Sequence, residues 1–182
     1  MTRAKIPLLG YALLGLLHEA PFSGYGIRKM FANSPMGSFS DSPGAIYPAL
    51  QRLEKAGLIR GRVEDGSDLR RKKTFRLTEP GMAALKQWLK QPVTREDVIR
   101  SIDELMLRFS FMDNGLGEAA TVRFLKSFRK ELVNYIPSLR EYLNSNRAKM
   151  PRSGILALES GMRSYEALIE WCDHAIKTYE NN

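Results

Sequence analysis

Four consecutive cations, Arg70 to Lys73, form the longest run of like charge in the chain. Guanidinium and ammonium groups bind phosphate oxygens, so such a run is suited to gripping a polyanion. It is also compatible with an exposed edge strand that charge protects from aggregation. Because a candidate recognition helix lies nearby, we interpret these four residues as phosphate contacts: Arg70, Arg71, Lys72 and Lys73.

A second group of polar side chains lies between Ser42 and Ile59. The apolar residues of this stretch recur at steps of four, three and three, which predicts one buried helix face: Ile46, Leu50, Leu53 and Ala56. The polar residues around the rest of the helix are predicted DNA contacts: Ser42, Tyr47, Gln51 and Arg52. Glutamine and arginine make paired hydrogen bonds to adenine and guanine, which makes Gln51 and Arg52 the candidates for base edges. Tyr47 is equally compatible with a packing role.

Local signals set the ends of this helix. Ser42 can cap its first turn, Pro43 suits the first helical position, and Gly57 can end it in the left-handed conformation. We expect Pro48 to distort the helix without breaking it. The extended residues that follow would make this a recognition helix leading into a wing, although an ordinary amphipathic surface helix fits the same residues.

The start of the preceding helix offers a second place for phosphate. Ser23 is suited to cap a helix over residues 23–31, whose free backbone N–H groups and positive end attract anions. We predict phosphate contacts that position the protein without reading sequence from Ser23, Tyr25 and Lys29.

The chain contains few of the residues that catalytic and metal-binding sites use. It contains two histidines, His18 and His174, and one cysteine, Cys172. A nucleophilic triad or a zinc site needs several such residues together, and no glycine-rich phosphate loop is present. We therefore expect no catalytic residue, no metal and no other cofactor. Packing is the favoured role of Cys172, with a redox sensor as the alternative.

The positive charge of the chain is confined to one half. The net charge is +8 over 182 residues, and the first 90 residues hold 15 Lys and Arg against seven Asp and Glu. The second half is neutral, which suggests two regions with two tasks. A single cysteine fits a reducing compartment, and the apolar run at residues 8–17 is too short to cross a bilayer. We expect a soluble cytoplasmic protein.

The first half is predicted to contain four helices and a hairpin. Helices are expected at residues 8–19, 23–31, 43–56 and 79–89, and strands at 58–63 and 72–77. Gln91 and Pro92 mark the boundary between two domains, at residues 1–91 and 92–182. Thr94 and Asp97 resemble a capping box at the start of the second domain.

The second half is predicted to be wholly helical. Apolar spacing predicts one helix from Val98 to Met112, a stop at residues 113–115, and a long helix from Glu118 to about Asn146, kinked at Pro137. Ser153 is the expected cap of the last helix. That helix carries an unbroken heptad seam: Ile155, Leu158, Met162, Tyr165, Ile169, Cys172, Ile176 and Tyr179.

The heptad seam is longer than one antiparallel helix pair needs, so we predict that it packs against a second copy of the chain. Packing on the N-terminal domain alone is the alternative. The predicted fold class is mainly α with a small β wing. It comprises a winged helix-turn-helix domain plus a C-terminal antiparallel helical dimerisation domain.

Motifs in the first half resemble the PadR-type transcriptional regulators. They occur in family order: Leu14–Leu17, Ser23–Ile27, Gly44–Glu54, Lys72–Thr78 and Trp88–Leu89. The Gly-Ala-Ile-Tyr-Pro-Ala-Leu block is the most specific of them. The second half resembles the virulence-activator subgroup in layout. Two departures are Phe75, where the family typically has Tyr, and the lack of a tryptophan beside Phe39.

The resemblance implies a winged helix-turn-helix homodimer on an inverted-repeat operator in double-stranded DNA, usually as a repressor. Many relatives respond to phenolic acids or other hydrophobic small molecules. The alternative is an adaptor that kept the fold without binding DNA and senses a ligand or binds a protein. A cationic wing argues against such an adaptor. RNA binding is a third interpretation, but the sequence lacks the pattern of exposed aromatic residues that it would need.

Overall fold

The computed structural model describes residues 6–34, 42–64 and 72–181. The chain divides into two compact units, Met1–Gln91 and Pro92–Asn182. Helices dominate both, and the described part of the first unit adds a small antiparallel sheet. The predicted fold class, mainly α with a small β wing, is confirmed.

The described part of the first unit contains four helices and three strands. Their order along the chain is α1 Leu8–Glu19, β1 Phe22–Ser23, α2 Gly24–Ala32, α3 Pro43–Lys55, β2 Ile59–Glu64, β3 Lys72–Leu77 and α4 Glu79–Leu89. The sheet order is β1-β3-β2, with both pairings antiparallel. Strand β2 begins and ends one residue later than predicted. Strand β1 was not predicted, because residues 20–22 were interpreted as a break.

The core of the first unit is made by the apolar faces of its helices. Leu13, Ile27, Leu50 and Leu85 are buried, and the Trp88 ring stacks on Tyr11 with centroids 4.5 Å apart. At α4, the Thr78 hydroxyl donates to Gly57 O, and a Cβ at Gly81 would collide with the carbonyl of Leu58. Helix α4 therefore packs directly against the backbone that leads into the hairpin.

The second unit contains five helices and a short 3₁₀ turn in its described part. They are α5 Arg95–Arg100, α6 Ile102–Ser110, α7 Met112–Leu116, α8 Glu118–Asn146, the turn Arg147–Lys149, and α9 Arg152–Glu180. The predicted capping box of Thr94 and Asp97 is present in both directions. The predicted bounds of the helix at residues 118–146 are also confirmed, and Pro137 lies inside it.

The prediction of one helix from Val98 to Met112 is wrong. The backbone leaves helical geometry at Ser101, with φ −139° and ψ 34°, and again at Phe111, so three short helices replace one. A straight helix would bury only one stripe. Leu107 and Phe111, which lie away from that stripe, are also buried.

Two predicted helix ends are also wrong. Residues 113–115 are helical, and the left-handed residue that ends α7 is Gly117, with φ +83°. Ser153 lies inside α9, whose N-cap is Pro151 and has no side-chain cap. A proline supplies the φ needed at a helix start and keeps the residue before it extended, as Met150 is, with ψ 141°.

Candidate nucleic-acid interface

Helix α3 forms as its end signals predict. The Ser42 hydroxyl accepts a hydrogen bond from Gly44 N at 3.2 Å, Pro43 occupies the first turn, and Gly57 has φ +72°. The helix continues through Pro48. Its inner face is buried: Ile46, Ala49, Leu50 and Leu53. The prediction that Ala56 belongs to this face is wrong, because the helix ends at Lys55 and Ala56 is exposed.

The outer face of α3 presents the predicted base contacts. Gln51 and Arg52 are exposed next to each other, and Ser42 is exposed at the helix start. Helix α3 packs against both α2 and strand β2. The polar face therefore lies on a support fixed by two neighbouring elements, which a surface that reads sequence requires.

Tyr47 combines the two roles that the sequence left open. A Cβ at Gly24 would lie 2.6 Å from Tyr47 Cε1, so the ring packs directly on the start of α2. The side chain is nevertheless 42% exposed. Packing on Gly24 fixes the ring, and its open edge remains available to a ligand.

The start of α2 places the three predicted phosphate contacts differently. Ser23 caps the helix by accepting from Gly26 N at 3.1 Å, and only 8% of it is exposed. Tyr25 is 64% exposed, with the Arg28 guanidinium 5.4 Å from its ring centroid. Lys29 is exposed on the next turn. Tyr25 and Lys29 are therefore accessible, whereas the Ser23 hydroxyl is already used inside the protein.

The hairpin carries cations that the sequence reasoning missed. In the register of β2 and β3, Arg60 lies opposite Arg76, and Arg62 follows Arg60 on the same face. All three are exposed. Like charges directly across a ladder repel each other, and an anion between them would relieve this. The alternation of cations in β2 is visible in the sequence and could have identified Arg60 and Arg62.

The predicted cation run falls mostly outside the described side chains. Arg70 and Arg71 lie outside the described residues, and Lys72 is described only as a backbone position of β3. Lys73 is described, and its ammonium group forms an ion pair with Glu54 at 2.7 Å. This hydrogen bond is the main cause that lowers the pKa of the Glu54 carboxyl.

An apolar cleft of about 190 Å³ lies between the start of α1 and α3. Its wall includes Ile6, Leu9, Leu53 and Leu58, and Arg52 lies at its edge. The cleft shares Arg52 with the outer face of α3, so a molecule in the cleft would lie beside a candidate base contact.

No group of three or more His, Cys, Asp or Glu side chains is placed to hold a metal ion within residues 6–34, 42–64 and 72–181. Within the same ranges, no helix combines the length and the apolar character needed to span a membrane.

The seam of α9 lies largely against α8 of the same chain. Three of its predicted residues are buried in the single chain: Met162, Cys172 and Ile176. The other five are half-buried: Ile155, Leu158, Tyr165, Ile169 and Tyr179. The rings of Tyr165 and Tyr135 meet edge to face at 5.3 Å, and the Tyr179 hydroxyl donates to Asp113 Oδ2 at 2.6 Å.

A ladder of ion pairs, which we did not predict, runs beside this seam. Acidic residues at every seventh position of α9 pair with cations of α8: Glu159 with Arg147, Glu166 with Arg140, Asp173 with Arg129, and Glu180 with Lys126. The repeat places all four acids on one side of the seam and specifies the antiparallel register. It is readable in the sequence once the heptad is assigned.

Comparison with known families matches both units. Residues 13–87 match the Transcriptional regulator PadR-like family, and residues 103–180 match the family described as Virulence activator alpha C-term.

Two curated relatives are similar to part of the chain. The Negative transcriptional regulator PadR of Bacillus subtilis (strain 168) is 32% identical over 105 residues, which are 58% of this chain and 57% of that protein. The Transcriptional regulator YqjI of Escherichia coli (strain K12) is 37% identical over 90 residues, 50% of this chain and 39% of that one. The chain thus spans about half the length of these relatives.

Solved structures resemble the chain over most of its length. Bacillus subtilis PadR in complex with operator DNA is 24% identical, with a TM-score of 0.44, and the match covers 95% of this chain and 99% of that one. The PadR-like transcriptional regulator BC1756 from Bacillus cereus is 27% identical, with a TM-score of 0.40 and coverage of 94% and 98%.

Proposed function

Because residues 13–87 match the PadR-like family of transcriptional regulators, we propose that this chain binds an inverted-repeat operator as a homodimer and represses transcription. The family is one of regulators and not of enzymes. The observation that carries the proposal is the exposed pair Gln51 and Arg52 on α3, a helix capped by Ser42 and supported by α2 and β2.

Each part of the interface has its own task in this proposal. Gln51 and Arg52 contact base edges in the major groove, with Ser42 and Tyr47 beside them on the same helix. Tyr25 and Lys29 on α2 and the exposed arginines of the hairpin bind phosphate. The face shared by Arg60, Arg62 and Arg76 adds to the phosphate contacts predicted from the run at residues 70–73.

Selection from a random duplex pool tests sequence-specific binding. We expect the full-length chain to enrich an inverted repeat whose half-sites are about 10 base pairs apart, or a multiple of that spacing. A Gln51→Ala variant should enrich a repeat with relaxed preference at one position in each half-site. A pool that stays random with the wild-type chain would contradict the proposal.

Repression is tested with a promoter that carries the enriched repeat. Its transcription should fall in the presence of the chain, and a rise in transcription would make the chain an activator.

The proposed dimer is supported by apolar surface on the helix pair of the second unit. Leu156 is 56% exposed beside the seam, and Tyr142 is 57% exposed near the same end of the pair. Five seam residues stay half-buried, so a second copy has apolar surface to cover. Light scattering should give twice the chain mass of 20.7 kDa.

Leu156→Arg tests that surface. It should shift the mass towards the monomer without unfolding the chain, and His174→Arg, at an exposed position of the same helix, is the matched control. A wild-type monomer at high concentration would exclude the dimer.

We also propose that a hydrophobic or phenolic small molecule releases the operator. The apolar cleft beside Arg52 supports such a ligand, since a phenolic acid presents an apolar ring and a carboxylate. Titrating p-coumaric acid into the operator complex should lower its anisotropy and raise the melting temperature of the free chain. No change in either quantity at millimolar acid would exclude this effector.

A further inference from the structure

Helix α3 and the hairpin are joined through one carboxylate. Glu54, in the last turn of α3, accepts a hydrogen bond from Gly61 N at 3.0 Å through Oε1 and one from Lys73 Nζ at 2.7 Å through Oε2. The Lys73 ammonium group also lies 5.2 Å from the centroid of the Phe75 ring. Glu54 thus holds β2 by its backbone and β3 by a side chain.

The absence of a side chain at position 61 makes this junction possible. A Cβ at Gly61 would lie 2.7 Å from Glu54 Oε1 and would collide with Cε of Lys73. The two side chains therefore occupy the space that any larger residue would fill. Gly61 brings its N–H close enough for the carboxylate to bind both strands.

A carboxylate on the face of a DNA-binding unit is unfavourable by simple electrostatics, because it repels phosphate. Lys73 offsets that charge, but it then has an ammonium group already held by Glu54 and by Phe75. These two contacts hold the Lys73 ammonium group against the protein, which is the environment of a structural cation and not of one that awaits a phosphate.

We propose that Glu54 and Lys73 are positioning residues: they fix the hairpin against α3 and so set where the other wing cations meet the duplex. This proposal rests on the proposed function, and it replaces the prediction that Lys73 contacts phosphate. Glu54 acts through Gly61 and Lys73 and touches no DNA itself.

Whether one substitution strengthens or weakens DNA binding distinguishes the positioning role from simple charge repulsion. Removing an acid near phosphate should strengthen binding, whereas releasing the hairpin should weaken it. We expect Glu54→Ala to weaken operator binding about tenfold, because two hydrogen bonds to a charged group are lost. Glu54→Gln keeps one acceptor oxygen, which can still accept from Gly61 N, but its NH2 group cannot accept from Lys73, so we expect it to restore only part of the lost binding. Glu19→Ala removes the same charge from an exposed site on α1 and should not weaken binding.

The salt dependence tests Lys73. Lys73→Met should leave the slope of log K against log salt unchanged, whereas loss of a phosphate contact would reduce the slope by about 0.9. The Glu54→Ala/Lys73→Met double variant should bind no more weakly than Glu54→Ala, because the two residues form one unit. A reduced slope for Lys73→Met, or additive losses in the double variant, would overturn the proposal.

Amide exchange of Gly61 gives a readout that needs no DNA. Its N–H should be protected in the wild-type chain and in Glu54→Gln, and should exchange faster in Glu54→Ala, with the melting temperature recorded for each variant. A wild-type chain that binds no duplex would disprove the proposed function together with the DNA role of this junction. A wild-type chain that binds, with Glu54→Ala binding as tightly or more tightly, would disprove the positioning role alone.

Discussion

We propose two kinds of contact with DNA, which Gln51 and Arg76 illustrate. Gln51 is exposed on α3 and can pair with a base edge, whereas Arg76 is exposed on the hairpin opposite Arg60 and can bind only phosphate in this account. Gln51→Ala should cost about 1–3 kcal/mol on the operator and relax preference at one position. Arg76→Met should weaken all duplexes alike and reduce the salt slope by about 0.9. Anisotropy titrations at several salt concentrations measure both effects. A changed sequence preference for Arg76→Met would contradict the assignment.

Cys172 should be chemically inert in the folded chain. It is fully buried, and burial, with a smaller effect of Asp173, raises the pKa of its thiol to about 12. The thiol therefore stays protonated at pH 8, and the thiolate that reacts with alkylating agents is scarce. Labelling with iodoacetamide should be slow in the native state and fast in urea. Rapid native labelling would favour the redox sensor that we set aside.

At the scale of elements, the close approach of α4 to the hairpin can be tested with two glycines. Gly81→Ala should destabilise the first unit strongly, because the new Cβ would collide with backbone at Leu58, which cannot move aside cheaply. Gly44→Ala is the matched control in α3, where the nearest atom is Ser42 Oγ at 3.5 Å. It should leave stability unchanged or raise it by up to about 1 kcal/mol. Urea unfolding measures both, and equal effects would contradict the packing described.

The ion-pair ladder between α8 and α9 should differ along its length. Arg129 makes two bonds to Asp173, at 2.5 and 3.0 Å, whereas Lys126 makes one to Glu180. Arg129→Met should therefore lower the melting temperature more than Lys126→Met does. The difference should shrink in 1 M NaCl, because salt screens exposed pairs. Equal melting temperatures of the two variants at low salt would contradict this difference.

Local signals explain which elements could be predicted from the sequence. The ends of α3 depend on Ser42, Pro43 and Gly57, which act within a few residues, and both ends were predicted correctly. Strand β1 has two residues and exists only because β3 pairs with it. The break at Ser101 was not predicted, because the apolar spacing from Val98 to Met112 fits one continuous helix.

The candidate site likewise combines features that the sequence predicts with features that it does not. Exposure of Gln51, Arg52 and Lys29 follows from helix periodicity. The pairing of Lys73 with Glu54 does not, because it joins residues 19 positions apart through the hairpin register. The four cations at residues 70–73 were interpreted as one group of phosphate contacts. The register of the strands places Lys73 where it pairs with Glu54 instead.

For the whole molecule, charge and architecture divide at the same place. The first 90 residues hold the entire excess of eight positive charges, and the two compact units meet at Gln91 and Pro92. We therefore propose that the first unit binds the polyanion and that the helix pair of the second unit carries the self-association.

The most direct test of this account is competitive fluorescence anisotropy. A labelled duplex from upstream of the protein's own coding region would be titrated with the chain, at several salt concentrations and with unlabelled random duplex as competitor. The account predicts tight binding that survives the competitor, with one dimer per inverted repeat, and a second titration with the selected repeat covers an operator elsewhere. Complexes that random duplex removes as readily as the selected repeat, or no binding at low salt, would contradict a sequence-specific regulator.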